Sequence, residues 1–302
     1  MQKSSMSRPV RPALYAPLLV LGSMLSIAIG ASTAKGIFPL LGPAGTAFVR
    51  VGVAAIVLLA LWRPWRATLS RQQAVPIVTY GIILGILNLT FYEAMARLPI
   101  GIAIAIEFLG PLSIAFYMSR GRLDILWASL ALIGVVLLLP LTSLQRSIDP
   151  VGIGFALMSA AAWGCYIVVG KKAGTSIHPG YATAIGTTVG FLSIAPFGAL
   201  TAWQTEWTSS LIFTAIAIGV LSSAIPFSLE MVALKHLDSK TFGILLSLEP
   251  ALGALAAFLM LSEKISIIQC LAISCVVTAS IGATATSRAS SKDSLVDEAS
   301  AP

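Results

Sequence analysis

The chain has 302 residues, 57% of them hydrophobic and only 10% charged, with a formal net charge of +7. A soluble domain carries about 25% charged residues, so this composition cannot cover a water-facing surface and excludes a soluble globular protein. The basic excess does not point to nucleic acid, because its placement along the chain carries more information than its total.

Apolar runs of about 20 residues, the length that crosses a bilayer, recur with short polar breaks. In chain order they cover 13–34, 43–62, 74–96, 100–119, 125–141, 150–170, 179–199, 210–233, 241–262 and 266–286. No alternating strands of barrel type interrupt them. The expected fold is therefore an all-α integral membrane protein with ten transmembrane helices. The first run follows a basic stretch and ends in Ala31, Ser32, Thr33 and Ala34, as a cleaved signal peptide does, but it is longer than a signal h-region of about 7–15 residues. Cys165, Cys270 and Cys275 fall inside apolar runs and read as small core residues. Residues 287–302 are small and polar without apolar periodicity and read as a disordered tail.

Basic residues fall mainly on one side of this pattern. Lys3, Arg8, Arg11, Arg63, Arg66, Arg71, Arg120, Arg122, Lys171, Lys172, Lys235, Lys240, Arg288 and Lys292 share a side, whereas the other holds Lys35, Arg97, Arg146 and Lys264. By the positive-inside rule, residues 1–12 and the C-terminal tail are expected in the cytoplasm.

The two halves resemble one another weakly but in order. Ile27 to Lys35 aligns with Trp163 to Lys171, Pro43 with Pro179, and Ala94, Leu98 and Pro111 with Ala233, Leu237 and Pro250. Two units are expected, 13–141 and 150–286, each of five helices. Five is odd, so the second copy enters the membrane from the opposite face. Inverted repeats of this kind mark alternating-access carriers with a site near the midplane.

Arg50, Glu93, Glu107, Glu230 and Glu249 lie within the runs. A charge at the centre of a spanning helix costs about 2.5–3.5 kcal/mol on insertion scales, so each requires a partner or a task. Glu107 and Glu249 lie some 10–12 Å deep at 1.5 Å per residue, and Arg50 is level with Glu107. Two readings of that pair stand together: a buried ion pair, or a pair that opens for a zwitterion needing both signs. Pro111 and Pro250 free the carbonyls of Glu107 and Leu246, and such backbone belongs beside protein or a wet cavity. Glu93 and Glu230 are shallower and read as gate or structural groups, with Lys35 and Lys171 as candidate partners. Asn88, Tyr92, Trp163, Tyr166 and Ser228 are candidate cavity walls. Gly81/Gly85 and Gly186/Gly190 have the spacing of close helix crossings.

Catalysis would need a nucleophile with a base, or metal ligands, at one depth. His178 and His236 fall in loops, no Asp lies in a span, and neither HExxH nor GxxxxGK[ST] occurs. No enzyme activity, metal or cofactor is expected, and transport must draw on an ion gradient, with protons the preferred ion. No run of like charge marks a channel filter.

Three stretches, GASTAKGIFPLLGPAGTAFVR (30–50), RLPIGIAIAIEFLGPL (97–112) and IPFSLEMVALKHLDSKTFGILLSLEPALGAL (225–255), resemble the drug/metabolite transporter superfamily in its EamA-type branch, and within it the threonine/homoserine exporters of bacteria. The resemblance implies a secondary exporter of small amino acids in the bacterial inner membrane; lipid, from the composition, and protons, from Glu107 and Glu249, are the other expected partners. Export of another metabolite or a drug-like cation is the alternative. Oligomeric state is not legible.

Overall fold

The computed structural model describes residues 15–34, 37–98, 100–119, 121–137, 149–249, 251–252 and 267–300. They form α1 (Ala16–Ala34), α2 (Phe38–Trp62), α3 (Arg71–Arg97), α4 (Ile100–Glu107), α5 (Leu109–Met118), α6 (Arg122–Leu137), α7 (Pro150–Ser176), α8 (Pro179–Gln204), α9 (Ser209–Gly219), α10 (Ile225–His236), α11 (Ser239–Leu246) and α12 (Ile267–Ser300). A π-turn, Val220–Ala224, joins α9 to α10. No strand occurs among the described residues. Five helices there are long and apolar enough to cross a membrane: α2, α3, α7, α8 and the continuous Ser209–His236. Shorter apolar helices cover Ala16–Gly30, Ile102–Met118 and Cys270–Thr286.

The helix ends are set by the polar residues of the breaks. Ser70 and Gln73 form a capping box at α3, and Asp149, Thr208 and Asp238 each accept a backbone amide at the starts of α7, α9 and α11. These caps satisfy amides that have no partner inside the helix, which matters most where the chain leaves water. Gly42 has φ +63° and breaks the first turn of α2 from the rest, so the long part begins at Pro43, as the hydropathy pattern predicts. Only glycine adopts that conformation freely.

The polarity of the bundle is inverted relative to a soluble protein. Leu18, Ile56, Leu61, Trp203, Phe213 and Ile281 face outward, while Ser23, Thr46, Asn88, Glu107, Ser159 and Glu230 are buried. With no gain from hiding apolar side chains among lipid tails, packing relies on small residues. α2 lies along α8, α3 along α7 and α8, α6 along α12, α1 along α10, and α5 against α11. At the α3–α8 crossing a Cβ on Gly85 would meet the Gly190 carbonyl at 2.8 Å, and one on Gly81 the Gly186 carbonyl at 2.5 Å. The glycine pairs thus serve close approach, as their spacing predicts.

Two expectations are corrected. Cys165 and Cys270 are exposed and Cys275 partly so, because in a lipid-facing helix a small apolar residue has no reason to turn inward. The backbone of α12 is helical through Ser300, where the composition predicts no regular structure from 287; extending an existing helix needs no new nucleus.

Candidate functional site

Arg50 projects from α2 into the bundle. Its Nη2 donates to Asn88 Oδ1 on α3, and its Nη1 donates to the Ser222 carbonyl at 3.3 Å. The guanidinium carbon stands 5.0 Å over the ring of Tyr92, which packs against Phe38. Asn88 is oriented by its own Nδ2, which donates to the Leu84 carbonyl at 2.8 Å. Nε of Arg50 is buried without a partner among the described residues. This is a cation held by neutral groups, with its charge uncompensated by contact.

The acceptor at Ser222 exists because of the π-turn. Pro226 has no N–H, so the backbone ahead of it cannot keep α-helical pairing and relaxes into the wider turn. Carbonyls there are left for side chains: Ser26 on α1 donates to Leu221, and Arg50 to Ser222. Sequence reasoning missed this element, although Pro226 after Ser222 and Ser223 inside an apolar run was its signal.

Glu107 is 7% exposed and accepts from Ser159 Oγ on α7 at 2.6 Å. No ion pair joins it to Arg50 among the described residues; the expected pair is replaced by the Asn88 and Ser222 contacts. Equal depth did not bring the two charges into contact, because depth says nothing about which way each helix face is turned. α4 ends at Glu107 and the chain turns at Phe108, leaving the carbonyl that Pro111 cannot serve beside the acid. Phe108 packs on Trp163 at 5.0 Å. α11 breaks in the same way at Ser247, and the backbone is helical again at Leu248 and Glu249; Pro250 itself lies outside the described residues.

Glu249 has no hydrogen bond or ion pair from a described residue, yet it lies within electrostatic reach of both Glu107 and Glu230. Glu230 is only 5% exposed. Its Oε1 accepts from Ser23 Oγ at 3.1 Å and its Oε2 from Tyr166 OH at 2.8 Å, and Tyr80 OH lies 3.4 Å from Tyr166 OH. The expectation of Lys171 as the partner of Glu230 is therefore corrected. Lys171 Nζ donates instead to the carbonyls of Leu234 and Leu237 at the end of α10. Those carbonyls are the unsatisfied negative end of a helix, a natural seat for an ammonium.

The remaining candidates divide. Glu93 pairs with Arg97 at 3.9 Å, and Arg97 reaches Asp149 at 3.6 Å; Lys35 lies outside the described residues. Among the described residues Ser228 donates to the Ala224 carbonyl of the adjoining π-turn and to none of these groups. Asn88 and Tyr92 contact Arg50, Tyr166 donates to Glu230, and Trp163 packs on Phe108 next to Glu107. Ser23 and Ser159, which hold two of the acids, had no sequence signal, since serine is common in close-packed membrane helices. No group of metal ligands occurs among the described residues.

A bundle of apolar helices that, among the described residues, holds the Arg50 cation on neutral groups and encloses the acids Glu107 and Glu230, with Glu249 at a helix break, is the architecture of a membrane carrier. The EamA-like transporter family matches residues 150–285. The threonine/homoserine exporter RhtA of Escherichia coli (strain K12) is 40% identical over 275 residues, 91% of this chain and 93% of that protein. The RhtA of Salmonella typhimurium (strain LT2) is 40% identical over 276 residues with the same coverage. A solved crystal structure with 21% identity matches 91% of this chain and 98% of its own with a TM-score of 0.70, so the helical arrangement is shared. The chain belongs to the EamA-like transporter family: it is a multi-pass membrane transporter and not an enzyme.

Proposed function

We propose that this protein exports threonine and homoserine across the bacterial inner membrane in exchange for protons. The observation that carries the substrate is the 40% identity to threonine/homoserine exporters over 91% of the chain. The geometry suits it. A free amino acid presents a carboxylate and an ammonium, and Arg50 with Nε unserved is a fork for the first. Glu249, without a hydrogen bond or ion pair among the described residues and within electrostatic reach of two other acids, suits the second or a proton. One carboxylate that takes either a proton or an ammonium makes the two cargoes compete, which is the requirement for exchange.

The reading includes ten membrane helices in two inverted five-helix repeats, with both termini cytoplasmic, the side on which Lys and Arg concentrate. The packing supports it. Exchanging the halves turns the α3–α7 contact into the contact of α10 with α1, and returns α2–α8, α5–α11 and α6–α12 to themselves. Alternating access then amounts to rocking one half against the other around the cluster.

The test is efflux of preloaded labelled amino acids from cells with and without the protein. Faster release of threonine and homoserine is expected. Release at the vector-control rate, with another metabolite or a drug-like cation leaving faster, would replace these substrates.

A further inference from the structure

Ser223 is wholly buried, and its Oγ has no hydrogen-bond partner among the described residues. This sets it apart from its neighbours. Ser222 Oγ donates to the Ile218 carbonyl and Ser228 Oγ to the Ala224 carbonyl, the back-bonding that lets hydroxyls sit in apolar helices. A buried hydroxyl left without a partner costs about 1–3 kcal/mol, so an idle one calls for a ligand.

Its direction follows from the helix around it. Three neighbours in and beside the π-turn fix the compass: a Cβ on Gly30 of α1 would meet Ser222, Ala224 belongs to one buried cluster with Ala54 of α2 and Ala184 of α8, and Ile225, two residues on and half a turn away, is 39% exposed on the outer face. Ser223 therefore points opposite to Ile225, into the interior between α1 and α2. Phe227 and Glu230, four and seven residues on, share that inner face and are also buried. Ser223 adjoins the residue whose carbonyl holds Arg50, and stands on the same stripe as the Glu230 acid.

We propose that Ser223 recognises the side-chain hydroxyl of the transported amino acid. The proposal rests on the exporter reading above and adds the group that selects within it: Arg50 takes the carboxylate, an acid the ammonium, and Ser223 Oγ the hydroxyl. A site that leaves a buried hydroxyl idle unless the substrate supplies a partner discriminates against the analogue lacking one.

The probe is 2-aminobutyrate, which differs from both threonine and homoserine only in lacking the hydroxyl oxygen. Equilibrium binding of all three is measured on the purified full chain in lipid nanodiscs, for the wild type, Ser223→Ala and Ser223→Thr. The wild type should favour the hydroxylated ligands by about tenfold or more, Ser223→Ala should bring that ratio to near one, and Ser223→Thr should keep it. A Ser223→Ala protein that discriminates as the wild type does overturns the role of Ser223 and leaves the exporter reading standing. A wild type that binds neither threonine nor homoserine overturns both.

Discussion

At the scale of single residues the site is organised by hydroxyls and amides rather than by ion pairs. Arg50 rests on Asn88, a backbone carbonyl and the face of Tyr92, and Glu107 rests on Ser159. The guanidinium fork can serve these neutral acceptors and still present a free edge, which a lysine ammonium at the end of a flexible stem cannot. Arg50→Lys should therefore insert and fold but lose transport by roughly tenfold or more, the worth of a charge-assisted hydrogen bond; initial rates normalised to inserted protein measure this. The sequence picked out Arg50, Glu107 and Glu230, which the fold turns into the bundle, because a charge inside an apolar run is conspicuous. It misassigned their partners because a run of hydropathy gives depth alone. Glu230 looked shallow by depth, yet Ser23 and Tyr166 from two other helices enclose it.

The elements were more legible than the contacts between them. Five spans, α2, α3, α7, α8 and Ser209–His236, were readable from hydropathy, the breaks near Glu107 and Glu249 from Pro111 and Pro250, and the α3–α8 crossing from Gly81, Gly85, Gly186 and Gly190. The π-turn was not, because Pro226 inside an apolar run signals a disturbed helix without saying whether the backbone kinks, breaks or widens into a π-turn. The glycine crossing carries its own consequence. A Cβ on Gly85 would lie 2.8 Å from the Gly190 carbonyl and 2.9 Å from Ser193 Cβ, and backbone cannot yield as a side-chain tip can. Gly85→Val should destabilise the protein by about 1–3 kcal/mol, the usual cost of overpacking. Gly154→Val, where a Cβ meets nothing within 4 Å, should be nearly silent. Thermal unfolding of the two variants in detergent, followed by fluorescence-detected size exclusion, compares them directly.

At the scale of the whole molecule, three hydrogen bonds at the buried charges join residues of 13–141 to residues of 150–286. Ser23 of α1 reaches Glu230 of α10, Ser159 of α7 reaches Glu107 of α4, and Arg50 of α2 reaches the π-turn. In the exchange proposed above, a rocking motion between halves must break or exchange some of these bonds, which would couple the occupancy of the acids by proton or substrate to the face that is open. That coupling is the central claim, and it has a direct measurement. In proteoliposomes with an imposed pH gradient, wild-type protein should accumulate labelled threonine, while Glu249→Gln, which keeps size and fixes the neutral form, should show no accumulation above empty liposomes. Gradient-driven accumulation of threonine by the Glu249→Gln protein at the wild-type rate would contradict the account.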